Sequence, residues 1–306
     1  MSQPIIRLRP YQDTAFRKEI GMMAYVMRRQ AGKSFLLGCQ GLDWMMESVC
    51  NVIFASASVN LGKENIKKEA EVWAIVTNAL RDAAKAQNYK LTTNADDDKG
   101  QLIDADAIAD LFEHQSLVTK LHHSNSDSNY SRSIVVAPNP DTAVGWTGNV
   151  ILDEVGRIPN FKEVFEAMEP IVSSSQNYRI RMATTPPPDD DHYSYELLAP
   201  PAGSKFKVNK NGNFYETDAG LLVHRVDAWD GYEAGVPLYD LKNRQPLCPE
   251  DHRALAIDRT AWDRNYGLKF LAGGSAALSR MALINAQDRG AKTSLGINIT
   301  DTLVVA

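Results

Sequence analysis

The chain has 306 residues, 44% hydrophobic and 23% charged, the size and composition of a soluble globular protein of one large or two small domains. A net charge of -5 excludes coating of nucleic acid by bulk electrostatics, though not a local basic surface. Three widely spaced cysteines (Cys39, Cys50, Cys248), no apolar run of about 18 residues and no signal-peptide pattern point to a reducing, cytoplasmic setting without a membrane.

In chain order, "GMMAYVMRR" (21–29) predicts a buried strand ending in a glycine-containing turn. Helical spacing follows over 34–47, weakened by Gly38 and Gly41, and "NVIFASAS" (51–58) predicts a second buried strand. Residues 61–87 predict a long helix with Ile66, Ala70, Trp73, Val76 and Leu80 on one stripe. Residues 90–132 are polar and read as an insertion of mobile loops around a short helix near 104–114. Strands are then expected at 133–138, 148–154 and 177–185, with a helix over 161–172. Strands alternating with helices predict an α/β fold with a mainly parallel sheet. After "PPPDDD" (186–191), residues 205–230 predict a hairpin and a further strand, 250–285 predict helices, and 294–306 look strand-like. The expected domains are a core over 1–204, a small lid over 205–290, and a linker or the start of another domain over 291–306.

Four short stretches carry chemistry. "MRRQAGKSF" (27–35) fits the end of the phosphate-loop pattern G-x-x-x-x-G-K-[ST], with Met27 at the first glycine position and Arg28 and Arg29 inside the loop. Amides at such a helix start bind phosphate. Lys33 then contacts the β- and γ-phosphates and the Ser34 hydroxyl ligates Mg²⁺. "NVILDE" brings Asp153 and Glu154 to a strand end, where ligands of open α/β sheets bind. Asp153 can hold the Mg²⁺ shell, partly through water, and Glu154 can act as general base on water. Thr184 and Thr185 in "MATTPP" can couple the γ-phosphate to a neighbouring element. In "LRPYQ", Tyr11 can stack on adenine and the Gln12 amide can read its edge. The nucleotide-binding set is therefore Tyr11, Gln12, Arg28, Gln30, Ala31, Gly32, Lys33, Ser34 and Phe35. His122 and His123 have no ligand-spaced partners and read as solvated.

Together "RPYQ", "RRQAGKS", "NVILDEVGRIPN" and "MATTPP" resemble, over residues 5 to 285, the ATPase domain of the large terminase subunits of tailed bacteriophages. That resemblance implies a P-loop NTPase core of the additional-strand, catalytic-glutamate type followed by a small lid. It implies ATP and Mg²⁺ as substrate and cofactor, and double-stranded DNA as partner. A homo-oligomeric ring on a capsid portal, a small terminase subunit and the cytoplasm of an infected bacterium belong to the same implication. The family pattern R-x-x-G-K-[ST] maps onto Arg29, Gly32, Lys33 and Ser34, so Arg29 is the catalytic arginine and Arg28 the structural one, although sequence alone does not separate the two. "AVGWTG" (143–148) lacks the arginine often found before the acidic strand, and no role is transferred there. Asn298 stands where the family's nuclease domain opens with an aspartate, so no nuclease activity is expected. A helicase-like DNA-dependent ATPase and a non-hydrolysing nucleotide-dependent scaffold are the alternatives.

Overall fold

The computed structural model describes residues 6–87, 91–92, 102–103, 112–114, 117–123, 129–143, 145–271 and 286. Helix α1 (Pro10–Phe16) leads into strand β1 (Met22–Met27), α2 (Lys33–Glu47), β2 (Asn51–Ser56) and α3 (Val59–Gln87). Then come the short β3 (Leu91–Thr92), β4 (Leu102–Ile103) and β5 (Phe112–His114), followed by β6 (Val118–His122) and β7 (Tyr130–Val136). Helix α4 (Pro140–Ala143), β8 (Asn149–Asp153), α5 (Phe161–Met168), β9 (Ile180–Thr184) and α6 (Tyr193–Leu198) complete the central part.

The main sheet runs β10-β11-β1-β9-β8-β2-β7-β6-β5, where β10 is Asn213–Glu216 and β11 is Leu222–Val226. From β11 to β7 every neighbouring pair is parallel, and β10, β6 and β5 add antiparallel edges. The predicted α/β class therefore holds. Strand β9 lies between β1 and β8, which is the additional-strand arrangement. Strands covered on both faces must be apolar throughout, and β8 and β9 are buried at all five positions. One core cluster packs α1, α2 and α3 on one face through Tyr11, Leu36, Leu42, Trp44 and Ile66. The other face is covered by α5 through Phe161, Val164 and Met168.

Three expectations change. Residues 213–226, grouped by sequence with the C-terminal unit over 205–290, form a hairpin whose β11 pairs with β1, so they belong to the main sheet. Backbone hydrogen bonding to the sheet decides this. Directly after β11, where the sequence up to residue 230 suggests a further strand, comes α7 (Ala228–Glu233). The short β12 (Leu238–Tyr239) and β13 (Pro246–Leu247), then α8 (Pro249–Ala254) and α9 (Arg259–Asn265), enclose a separate cluster of Ala228, Leu238 and Trp262. In the 90–132 insertion, Phe112–His114 is a strand rather than part of a helix, pairing with β6. The tail at 294–306, including Asn298, lies outside the described residues. Among the described residues no helix is long and apolar enough to cross a membrane.

A buried carboxyl ties α3 to this insertion. Glu69 is fully buried and accepts hydrogen bonds from the Thr119 hydroxyl (2.9 Å) and the Ser133 hydroxyl (3.0 Å). Burial outweighs those bonds and pushes its pKa up to about 7. The folded chain thus holds this proton more tightly than the unfolded chain. Stability from this group is fully present below the ordinary carboxylate pKa and is lost as pH rises through about 7. Glu69→Gln should therefore be more stable than the parent at pH 8, by up to roughly 3 kcal/mol. The advantage should shrink towards zero at pH 4.5. Thermal melts at the two pH values check this, and an equal difference at both refutes it.

Candidate active site

The turn between β1 and α2 leaves backbone donors uncapped. Gln30 (φ 61) and Gly32 (φ 83) adopt left-handed backbone, and α2 begins at Lys33. The positive φ favours glycine at position 32, and a β-carbon there would also displace the end of the Gln12 side chain, 2.6 Å away at Nε2. As N-cap, Gly32 offers no side-chain oxygen, and the first amides of α2 carry no capping bond. These unfilled donors and the helix dipole suit a phosphate.

Around that turn stand the side chains of two parallel strand ends. Lys33 is 6% exposed, donates to the Met27 carbonyl (3.2 Å) and lies 3.8 Å from Glu154 Oε1. Burial lowers its pKa, and the charges of Glu154 and Asp153 oppose that shift. Ser34 Oγ donates to Asp153 Oδ2 at 2.8 Å. Glu154 follows β8 in left-handed backbone (φ 53), a conformation that costs a non-glycine residue about 1–2 kcal/mol. Such strain is commonest where side-chain placement matters more than stability. Its carboxylate is 27% exposed, open to solvent beside the ammonium. Next along, the Gly156 amide donates to Thr184 Oγ1 (3.0 Å), whose own hydroxyl donates to the Thr185 carbonyl (2.6 Å). Thr184 thus touches the turn after Glu154, and sensing by its hydroxyl would have to pass through that turn.

Three expected nucleotide contacts are otherwise engaged. Tyr11 is fully buried and donates its hydroxyl to the Ala31 carbonyl (3.1 Å), so it braces the loop instead of stacking on adenine. Gln12 Nε2 donates to the Gly32 carbonyl (3.0 Å) and its Oε1 accepts from the Arg9 amide (3.0 Å), leaving no free amide edge for a base. Arg28 is buried against Gly231, with Nη1 donating to the Arg29 carbonyl (3.2 Å) and Nη2 to the Val236 carbonyl (2.6 Å). It ties the loop to the C-terminal unit. The exposed Arg29 has no side-chain partner among the described residues, while its amide donates to the Asn265 carbonyl (3.0 Å). Gln30 is exposed, Ala31 is buried, and Phe35 packs half-buried against the first core cluster.

Arg9 is a brace that sequence reasoning did not single out. Its Nη1 donates to the Ala31 carbonyl (3.0 Å), the Gln30 carbonyl (3.3 Å) and the Tyr11 hydroxyl (3.0 Å). Its place directly before Pro10 and Tyr11 in "RPYQ" was the available signal. His123, expected to be solvated, is instead 2.7 Å from Ser131 Oγ and part-buried.

The sequence matches no family model and no curated protein. Solved structures do resemble the fold. The ATPase domain of the large terminase of Thermus phage P74-26, in a form with one arginine changed to alanine, superposes with a TM-score of 0.54 at 17% identity, covering 85% of this chain and 93% of that one. The unmutated domain gives 0.51 at 18% identity, covering 87% and 100%. The fold is that of a bacteriophage large terminase ATPase domain.

Proposed function

We propose that the chain hydrolyses ATP and is the motor portion of a machine that drives double-stranded DNA into a viral procapsid. One observation carries this reading: Lys33, Ser34, Asp153 and Glu154 converge at the carboxyl ends of β1 and β8, with Ser34 Oγ 2.8 Å from Asp153 Oδ2. The terminase-like fold supports it. Lys33 and the amides opening α2 bind and orient the triphosphate. Ser34 and Asp153 would hold Mg²⁺, which when bound neutralises phosphate charge. Glu154 takes the proton of the attacking water. Arg29, unpaired at the loop, supplies charge to the transition state. Thr184 and Thr185 relay the change to the unit after Asp227, which we assign as a lid. A ring of copies on a portal, in the cytoplasm of an infected cell, supplies the grip on DNA that one acidic chain lacks.

Purified chain should show Mg²⁺-dependent ATP turnover that duplex DNA stimulates, with the stimulation falling steeply as salt rises. Absence of any Mg²⁺-dependent turnover, with and without DNA, would sink the proposal.

The two arginines should separate cleanly. Lysine at position 29 keeps the charge but loses the planar fork, so Arg29→Lys should lower kcat by at least ~10-fold with ATP affinity nearly intact. Arg28→Ala removes two buried hydrogen bonds and leaves a cavity, so it should cost about 2–4 kcal/mol of stability. Steady-state kinetics and melting curves of both variants check the pair. A stable Arg28→Ala with crippled kcat would reverse the assignment.

A further inference from the structure

Beside the proposed nucleotide site lies a cavity of about 370 Å³. Its walls come from the turn after Glu154, the segment after β9, and the end of α9. Arg157 and Arg264 both line it, and neither guanidinium has a hydrogen bond or ion pair with any described residue. No carboxylate lines the cavity. Thr185, only 4% exposed, is also in the wall, and its hydroxyl has no partner among the described residues. His192 is engaged elsewhere, with Nε2 2.9 Å from the Ile158 carbonyl and Nδ1 2.8 Å from Ser194 Oγ.

Two guanidiniums bordering one cavity with no carboxylate in its lining leave positive charge there that a bound anion would compensate. Planar forks match the oxygens of a phosphate, which each can grip at two points. The volume accommodates phosphate with several waters, each needing about 30 Å³. The walls also touch the proposed catalytic parts. Gly156 donates to Thr184, and Asn265 accepts from the Arg29 amide. We propose that this cavity is a second anion site, binding inorganic phosphate between Arg157 and Arg264 after it leaves the nucleotide. This rests on the reading of the neighbouring site as an ATPase. Occupancy draws α9 towards the turn after Glu154, and departure of phosphate frees it, so product release and lid position are linked.

The test uses the full chain and inorganic phosphate alone, titrated by calorimetry against chloride at matched ionic strength, which removes general screening. Three proteins are compared: the parent, Lys33→Ala, and the double variant Arg157→Gln/Arg264→Gln. Arg157 is exposed, Arg264 is half-buried and neither side chain has a bonding partner among the described residues, so the double variant should fold, and its melting curve verifies that. Phosphate should bind the parent and Lys33→Ala alike, and at least ~10-fold more weakly to the double variant. Loss of phosphate binding in Lys33→Ala with retention in the double variant would place the ion in the phosphate loop and overturn the proposal. So would no phosphate binding to the parent. ADP titrated into the same proteins reports on the nucleotide reading by itself: it should bind the double variant as it binds the parent, and Lys33→Ala more weakly. If ADP does not bind the parent, the ATPase reading falls, whatever phosphate does.

Discussion

Lys33→Ala is expected to reduce ATP hydrolysis to background, a loss on the order of 10²–10³-fold or more, and to weaken triphosphate binding. Its ammonium is the single lysine charge held in the turn, aimed there by the Met27 carbonyl and Glu154. Removing one preorganised charge or donor from a water-poor site typically costs rate on that scale. The substitution also leaves Glu154 facing no cation, so the carboxylate should become freer to move. Parallel measurements of ATP affinity and single-turnover rate check this. Turnover at the parental rate would mean that the turn is not the phosphate site.

Glu154→Gln should separate binding from chemistry. The amide has nearly the same shape and can still meet Lys33 and a water, but it cannot accept the water's proton. The variant is expected to bind Mg·ATP as the parent does while losing on the order of 10²-fold or more in rate, the typical worth of a general base. The left-handed backbone at Glu154 belongs to the main chain and should persist, so melting temperature should hardly change. If binding and rate fell together, Glu154 would be holding the metal rather than the proton.

What was legible in the sequence was local. Buried parallel strands are written as continuous apolar runs, so β1, β2, β8 and β9 stand out, and the Gly32-Lys33-Ser34 turn and the Asp153-Glu154 strand end carry their chemistry within a few residues. The backbone partners of Tyr11, Gln12 and Arg28 were not legible because they are distant in the chain, Ala31 and Gly32 for the first two and Val236 for the third, although the motif already gave Arg28 a structural role. A tyrosine, a glutamine or an arginine beside a phosphate loop suits a nucleotide or a backbone carbonyl equally well, and nothing within the motif decides between them. The β10–β11 hairpin was readable as a hairpin, but its docking against β1 depends on a pairing about two hundred residues apart. Arg157 and Arg264 were invisible for the same reason. Their common cavity exists once α9 folds back on the turn after β8.

The interior position of β1 in the sheet also governs when the protein can begin to work during its synthesis. Strand β1 emerges early, yet its two sheet neighbours are β9 and β11, in register at Met22 with Ile180 and at Met23 with Leu222. The loop after it is closed by carbonyls of Val226, Val236 and Asn265. Contacts this distant in sequence make folding slow, because loops of such length must close before any pairing rewards them. A ribosome-bound chain ending near residue 200 has made every side chain proposed here for catalysis, but it lacks the strand and the carbonyls that lock the phosphate loop. Nucleotide binding should therefore appear late and abruptly as the chain lengthens past about residue 265, and ATP should then act as a ligand that pulls the last folding step to completion.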